Sequence, residues 1–584
     1  MVLSVPSSRI VRLRRWLLSA AVLSAATVAV QAQVVGVPSA PQIGSSNPVT
    51  AEPPVTRPHT KPCVVELFQN LEFADFTPKT YSYTPPADCP GPWSKVVFTA
   101  DFTVTAGRQF DRTAAFYLAH ANIYYGTTAE PRATLSPSWH VERDVTDLSV
   151  LLKTAATGEA NIGNFVGVSN GVTYNGIIYA NATLEFYPAS WQDPAAETPD
   201  IVVPVEGSGG DAGTLNTTSD QITQALSLPT NVERVYLDVI AQSQSGDEFW
   251  YFCVPDDQTA NLESCGNTAF RETEVTIDGV PAGVAPVYPW IYTGGIDPLL
   301  WEPIPGVQTL DFKPYRVDLT PFAGLLGDGA IHTVGVSVFN ADSYFLAAAN
   351  VLVFTDHGAS TVKGGVLSNT LSAAPTPVVK ENITASSAGV YTGNILVTSR
   401  RTFEISGYVN TSHGRVETTV QQTVDFSNYQ TFDVNPNANA PDVQNVKQLT
   451  TVDSQTITRD GWQRQTLVQH FAYPLTIDFA FVQNADGSYS QITTSDQKDE
   501  VSKSLSADGF NASFSQLNNE VHATDTRNYD SGLNFLGNTA SKSSQTYVLK
   551  DGGRSCYSRT ISAVTQVLVS VDDGDGCRED GGPR

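Results

Sequence analysis

Two charged residues stand at the entrance of an apolar and aromatic run. Asp111 and Arg112 precede Thr113–Tyr125, which has the composition of a buried strand, and Glu130 follows its end. Charges rarely enter such runs, because an unpaired buried charge costs several kcal/mol or more. Neighbouring side chains of a strand point to opposite faces, so Asp111 and Arg112 are expected to serve different sides of a sheet. The carboxylate is either a structural clamp or a group that does acid–base chemistry.

A second group of acidic residues stands beside aromatic residues further along the chain. Asp247 and Glu248 precede four consecutive aromatic residues, Phe249–Phe252, and Glu272 points away from its neighbour Arg271 in a predicted strand. Burial of a carboxyl group against aromatic rings raises its pKa, which prepares the group for proton transfer. The alternative is a set of salt bridges at the rim of an aromatic core.

Further aromatic residues occur in a stretch rich in Pro and Gly, residues 286–302. Trp290 and Trp301 lie in this stretch. Aromatic rings stack on the apolar faces of sugar rings, and tryptophan amid Gly and Pro is more typical of a groove than of a core. The stretch therefore favours a carbohydrate-binding groove, although each ring taken singly also suits a core.

The sequence lacks the motifs of several enzyme classes. It contains no Gly-x-Ser-x-Gly elbow, no His-Glu-x-x-His and no phosphate-binding loop. The eight histidines share no ligand spacing. We therefore expect neither a metal site nor a cofactor.

The first 32 residues have the pattern of a secretory signal peptide. Basic residues between Arg9 and Arg15 precede an apolar run, Trp16–Val30, and a small-x-small cleavage site ends at Ala32. The run is shorter than the roughly 20 residues of a membrane-spanning helix, which leaves a signal anchor as the alternative. Residues 33–62 are rich in Pro and Ser and are predicted to be a linker or a removed pro-segment. The expected location is extracellular.

The cysteine content agrees with an oxidising compartment. Six cysteines fall into three near pairs, which predicts the bridges Cys63–Cys89, Cys253–Cys265 and Cys556–Cys577. Five Asn-x-Ser/Thr sequons predict exposed glycosylation sites at Asn181, Asn216, Asn382, Asn410 and Asn511. The formal net charge of −25 excludes nucleic acid and anionic membranes as expected partners.

Short runs of Val, Thr, Tyr and Phe broken by Gly, Pro, Asn and Asp predict an all-β fold. His140–Leu152 resembles Tyr315–Leu326, since each has Asp-apolar-Thr followed by a short turn with a Leu-Leu pair. We expect two adjacent antiparallel jelly-roll sandwiches at 63–200 and 201–357. A linker is predicted at 358–379. Period-2 alternation then predicts a further C-terminal antiparallel β region at 380–584.

An ordered series of short motifs carries a family resemblance. It includes Tyr83-Thr-Pro-Pro-x-x-Cys89, Gln109-Phe-Asp-Arg112, Thr128-Ala-Glu-Pro131, Asp247-Glu-Phe-Trp-Tyr251, Thr293-Gly-Gly295 and Pro298-Leu-Leu-Trp301. The series resembles the plant and fungal peptide N-glycosidase A family over residues 63–360, and is more distantly similar to bacterial peptide N-glycosidase F. The resemblance implies an amidase on two adjacent jelly rolls. Such an enzyme hydrolyses the bond between asparagine and the first N-acetylglucosamine of an N-glycan.

The resemblance also implies roles for single residues. Phe110-Asp111-Arg112 matches a Trp-Asp-Arg segment of the bacterial enzymes whose aspartate is catalytic, so Asp111 takes that role. Glu248 matches a second bacterial glutamate, while an alternative alignment brings Asn267 to that position and Glu272 near it. A third bacterial glutamate has no acidic counterpart, and Glu130 is the candidate that replaces it.

The remaining implied roles concern substrate binding. Arg112 or Arg271 is expected to polarise the amide, and three tryptophans are candidate sugar platforms: Trp139, Trp290 and Trp301. The implied partner is an N-glycosylated peptide or protein, bound by a monomeric enzyme. Two other functions stay open, a secreted glycoside hydrolase and a jelly-roll protein that binds glycans without cleaving them.

Overall fold

A computed structural model describes residues 40–130, 133–169, 171–206, 212–435, 440–552 and 555–577. The predicted signal peptide, residues 1–32, lies outside the described residues, as do residues 33–39 of the predicted linker. The described chain is built almost entirely of antiparallel strands, so the predicted all-β class is confirmed. Among the described residues, no helix is long and apolar enough to cross a bilayer.

The first β-unit holds two four-stranded sheets, in the orders β1-β10-β3-β6 and β2-β7-β4-β5, and a small hairpin, β8-β9. Rings from both sheets meet in its core, where Phe116 lies 6.0 Å from Phe98 and 5.3 Å from Tyr124. The strands are β1 Cys63–Phe73, β2 Lys79–Tyr83, β3 Trp93–Val104, β4 Thr113–Leu118, β5 Ala121–Thr127, β6 Ser138–Asp144, β7 Ala156–Ile162, β8 Gly167–Ser169, β9 Val172–Tyr174 and β10 Ile178–Pro188.

The second β-unit repeats this plan with two sheets. One has the order β11-β19-β14-β17, with β12 also paired to β19, and the other has the order β13-β18-β15-β16. This plan is consistent with the predicted pair of sandwiches. The strands are β11 Ile201–Val205, β12 Gly213–Leu215, β13 Ile222–Ser227, β14 Val232–Gln244, β15 Glu272–Ile277, β16 Val280–Pro286, β17 Tyr315–Asp318, β18 Ile331–Phe339 and β19 Tyr344–Thr355.

The C-terminal part of the described chain forms one sheet of 11 strands, which we call the third sheet. Its strands pair in chain order from β22 to β30, while β20 and β21 both pair with β22. The strands are β20 Lys363–Asn369, β21 Val378–Ala385, β22 Tyr391–Thr411, β23 Gly414–Val434, β24 Pro441–Asp460, β25 Gln463–Gln483, β26 Tyr489–Ala507, β27 Phe510–Tyr529, β28 Phe535–Asp551, β29 Cys556–Val564 and β30 Val567–Asp573.

Alternate residues of the third sheet are buried against the second β-unit, as Ile395, Val397 and Phe403 of β22 illustrate. The predicted linker at 358–379 differs from the structure, because it contains strand β20. The three predicted disulfides are confirmed: Cys63–Cys89, Cys253–Cys265 and Cys556–Cys577. All five predicted sequon asparagines are exposed.

Helical structure among the described residues is confined to single turns. The two related motifs fold alike: the side chain of Asp144 accepts the N–H of Thr146 at 3.0 Å, and Asp318 accepts that of Thr320 at 3.0 Å. The α-helical turns are Thr259–Leu262 and Ala323–Leu326. The 3-10 turns are Thr146–Leu148, Leu151–Lys153, Ser245–Asp247, Trp250–Phe252, Asp256–Gln258, Pro298–Trp301, Thr320–Phe322 and Asp575–Cys577.

Residues 40–62, predicted to be part of a linker or pro-segment, instead form an extended strap that is hydrogen-bonded to the third sheet and to the first β-unit. Its backbone is bound by distant partners: Ala51 donates its N–H to Gln545 Oε1 at 2.7 Å, and Val49 donates to the carbonyl of Pro303 at 2.8 Å. Arg57 forms ion pairs with the first β-unit. This N-terminal strap has no regular structure of its own, since its Pro-rich sequence takes its hydrogen bonds from the strands it crosses.

Candidate active site

The site forms where the first and second β-units meet. Strand β5 is an edge strand of the first β-unit, and the loop at 287–312 of the second β-unit lies along it. Thr127 donates its N–H to Thr309 O at 3.0 Å, and Phe312 donates to Tyr125 O at 2.8 Å. The loop therefore continues the sheet and reaches the point where β4 begins and β5 ends.

Pairing of β4 with β5 brings Asp111 and Glu130 together, because Thr113 lies opposite Thr127. The backbone N–H of Asp111 donates to the Glu130 carboxylate. The N–H of Glu130 in turn donates to Thr293 Oγ1 at 2.9 Å, which fixes this end of the hairpin to the loop.

Gly294 lies against both carboxyl groups. Its N–H donates to the Asp111 carboxylate, and a Cβ atom added to Gly294 would lie 2.6 Å from Asp111 Oδ1 and still closer to Glu130 Oε2. Only a residue without a side chain lets the loop approach the two acids this closely. A cavity of about 20 Å³ next to Glu130, lined also by Thr293 and Glu302, has room for one water molecule.

Glu248 is the third carboxyl of the cluster. It follows the 3-10 turn Ser245–Asp247, where its N–H donates to Ser245 O at 3.1 Å, and its side chain is half-buried. The charge of Asp111 acts on Glu248, and the charges of both acids act on the buried Tyr292 hydroxyl, so Glu248 lies near Asp111. The two β-units thus each contribute acids to one site.

The surroundings raise the pKa of all three carboxyl groups. Burial and the neighbouring Asp111 charge raise the pKa of Glu130 to about 8 and that of Glu248 to about 7. Burial also raises the pKa of Asp111, but the Gly294 N–H and the Arg112 charge oppose that rise. Interacting carboxyls lose their protons in sequence, so the cluster holds proton donors and a proton acceptor together near neutral pH.

Arg112 supplies a positive charge at the same place. Its guanidinium lies 5.6 Å from the centre of the Phe110 ring, and its Nε is buried without a hydrogen-bond partner among the described residues. The Phe110 ring is 43% exposed and lies 5.1 Å from the ring of Tyr174. An exposed aromatic face therefore adjoins the acids, formed by residues that the sequence analysis did not single out as platforms.

Comparison with known proteins places this site in a family. The sequence profile described as peptide N-acetyl-beta-D-glucosaminyl asparaginase amidase A matches residues 51–371, which hold the three acids. The chain belongs to this amidase A family. The profile of the family's C-terminal domain matches residues 394–475. The resemblance predicted from the motifs is thus confirmed.

A curated relative and a solved structure match this amidase A family chain over different spans. Peptide-N4-(N-acetyl-beta-glucosaminyl)asparagine amidase A of Prunus dulcis is 29% identical over 90% of this chain and 92% of its own. The solved structure of PNGase F, a glycosylasparaginase from Flavobacterium meningosepticum, is 15% identical with a TM-score of 0.33. That match covers 50% of this chain and 96% of the other.

Two residues predicted for the amidase site instead form buried ion pairs away from Asp111. Glu272 forms a buried ion pair with Arg401 of the third sheet, and Arg271 forms one with Asp247 at 2.8 Å. Arg271 also donates to backbone carbonyls of Thr268 and Phe270. Both residues thus join structural elements, and the structure does not bring either one to Asp111.

The three predicted sugar platforms are core residues in this amidase A family chain. Trp139, Trp290 and Trp301 are 5%, 3% and 2% exposed, which leaves no free ring face. Trp290 packs against Phe312 at 4.4 Å, and Trp301 donates its indole N–H to Gly295 O at 2.9 Å. Trp290 and Trp301 thus hold the loop that carries Gly294, whereas Trp139 stacks on Phe102 in the core of the first β-unit.

Proposed function

We propose that this protein hydrolyses the amide that joins asparagine to the first N-acetylglucosamine of N-glycosylated peptides and proteins. Membership of the amidase A family supports this function. The single observation that carries it is the meeting of Asp111 and Glu130 at Gly294, with the charge of Asp111 acting on Glu248 and the exposed ring of Phe110 next to Asp111 in the chain. No cofactor is required for the chemistry below.

Asp111 is the proposed general base. Its carboxylate accepts the Gly294 N–H and lies beside the Arg112 charge, and both favour its ionised, proton-accepting form. It takes a proton from a water molecule, whose oxygen bonds to the side-chain carbonyl carbon of the substrate asparagine. Positioned acid–base catalysis of this kind contributes about 10²- to 10⁴-fold to the rate.

Glu248 is the proposed general acid, because its pKa, raised to about 7, leaves a large fraction of it protonated near neutral pH. It gives its proton to the amide nitrogen as the carbon–nitrogen bond breaks, which leaves an aspartate and a glycosylamine. Arg112 is placed to face the carbonyl oxygen of the substrate amide, which becomes negative when water adds. A positive charge at that point in a water-poor site stabilises the transition state. Glu130 holds the Asp111 backbone in place.

The test is release of glycan from a defined glycopeptide by Asp111→Asn, with the products weighed by mass spectrometry. Conversion of asparagine to aspartate by the wild-type protein is expected, with a loss of at least about 100-fold in kcat for the variant. Glu274→Gln is the matched control, since Glu274 is also a partly buried acid beside Arg401, at 3.2 Å, and its loss leaves the Glu272–Arg401 pair in place. A product that keeps one sugar on the asparagine would instead identify a glycoside hydrolase.

We further propose that the protein is exported and acts as a monomer. The pattern of the first 32 residues and three disulfides support export, because such bridges persist in oxidising compartments. Expression of the full chain should yield protein in the medium that begins after Ala32. Light scattering of that protein at one chain's mass would support the monomer, and a larger mass would refute it.

A further inference from the structure

An aromatic cluster at one end of the third sheet has no part in the chemistry proposed above. The rings of Phe481 and Tyr489 lie 5.4 Å apart, Tyr529 lies 6.3 Å from Phe481, and Phe535 lies 6.0 Å from Tyr529. Phe535 is 48% exposed. We call these four residues the aromatic platform. Phe535 therefore presents an aromatic ring to solvent at the edge of a packed aromatic cluster.

Side-chain contacts connect the aromatic platform to the candidate active site. The guanidinium of Arg527 lies 4.8 Å from the ring centre of Phe535, and its Nη1 lies 3.8 Å from Asp297 Oδ1 in the loop. Gln491 donates its side-chain N–H to the carbonyl of Ile296 at 3.0 Å. Ile296 is only two residues from Gly294, a span of at most about 7 Å. The platform is therefore held at the edge of the acid cluster.

The side chains of the aromatic platform match a sugar ligand better than a purely apolar ligand. Both tyrosine hydroxyls of the platform are hydrogen-bonded: Gln483 donates to the Tyr489 hydroxyl at 2.9 Å, and the Tyr529 hydroxyl donates to Gln491 Oε1 at 3.4 Å. Arg527 lies over the rings of Tyr529 and Phe535, and its Nε is buried without a partner among the described residues. A pyranose presents an apolar face and a rim of hydroxyls, which matches rings set among such groups.

We propose that the aromatic platform binds sugar units of the substrate glycan that lie beyond the first two. This inference rests on the proposed amidase activity and assigns the third sheet a part in substrate recognition. Phe535 offers the exposed stacking face, and the polar groups around the rings bind hydroxyls. Glycans with several sugars beyond the cleaved bond gain affinity from this contact, while a glycan trimmed to its first two sugars does not reach it.

The experiment compares two substrates that share one peptide, one with a branched N-glycan and one trimmed to the two proximal N-acetylglucosamines. In Phe535→Ala, KM for the branched substrate should rise about tenfold, as expected for the loss of one aromatic stacking contact, with kcat within twofold. The ratio of kcat/KM between branched and trimmed substrates should fall by the same factor. Phe535→Leu keeps an apolar side chain for packing but lacks the flat face, and should give the same fall.

Phe510→Ala is the matched control, because Phe510 is a 79% exposed phenylalanine at the other end of β27. It should leave the ratio unchanged. An unchanged ratio in both Phe535 variants would overturn the platform while the amidase activity stands. A loss that follows peptide length instead of glycan length would also overturn it. If the wild-type protein cleaves neither substrate, the failure lies with the proposed function.

Discussion

Gly294→Ala tests whether the acid cluster is the place of catalysis. The added Cβ would lie 2.6 Å from Asp111 Oδ1 and closer still to Glu130, whereas ordinary contacts of a Cβ begin at 3.4 Å. The Asp111 oxygen must therefore move by about 0.8 Å, and misplacement of a reacting group by about 1 Å costs on the order of 100-fold in rate. Both obstructing atoms are ends of side chains, so the fold can adapt.

The assay is glycan release from one glycopeptide under saturating conditions, together with thermal unfolding. We expect kcat to fall about 100-fold while the midpoint of unfolding changes by only a few degrees. Gly365→Ala is the control, because a Cβ there meets nothing within 4 Å. Wild-type kcat in Gly294→Ala would show that the cluster does not do the chemistry. A large fall in the unfolding midpoint would show that the glycine matters for folding instead.

Two further results are expected. The folded state holds the Glu130 proton more tightly than the unfolded chain, so this residue lowers the free energy of unfolding as pH rises from about 4.5 to about 8. Glu130→Gln should therefore raise the unfolding temperature more at pH 8 than at pH 5, and an equal shift at both would contradict the raised pKa. Arg401→Met leaves Glu272 buried without its partner and should cost about 3–5 kcal/mol in urea unfolding. A loss below about 1 kcal/mol would mean that the pair behaves like an exposed one.

Local patterns predicted the parts of the site that lie close in sequence. Asp111 and Glu130 flank one hairpin, so the composition of that hairpin was enough to single them out. The three disulfides join cysteines 12 to 26 residues apart, and proximity alone paired them correctly. The alternation of apolar and polar residues likewise indicated the antiparallel strands of residues 380–584.

Local sequence patterns could not predict which side chains are buried where two β-units pack together. Glu272 had the features of a candidate catalytic acid, and its partner Arg401 stands 129 residues later in the chain. The tryptophans at 290 and 301 lie in a Pro- and Gly-rich loop, which is typical of a surface until another sheet covers it. Arg527 and Gln491 contact that same loop although they lie more than 190 residues away in sequence, so no local pattern could predict these contacts.

The N-terminal strap imposes an order on how the protein is made. Ala51 is hydrogen-bonded to Gln545, which is 494 residues later in the chain. At the usual speed of synthesis, the strap leaves the ribosome about 25 to 100 s before its partner strand exists. During that interval the apolar and backbone groups of the strap that bind this strand are exposed to solvent or are bound by chaperones. The strap can therefore bind strand β28 only after nearly the whole chain has been made. Such contacts between residues far apart in sequence slow folding, and they require the full-length chain.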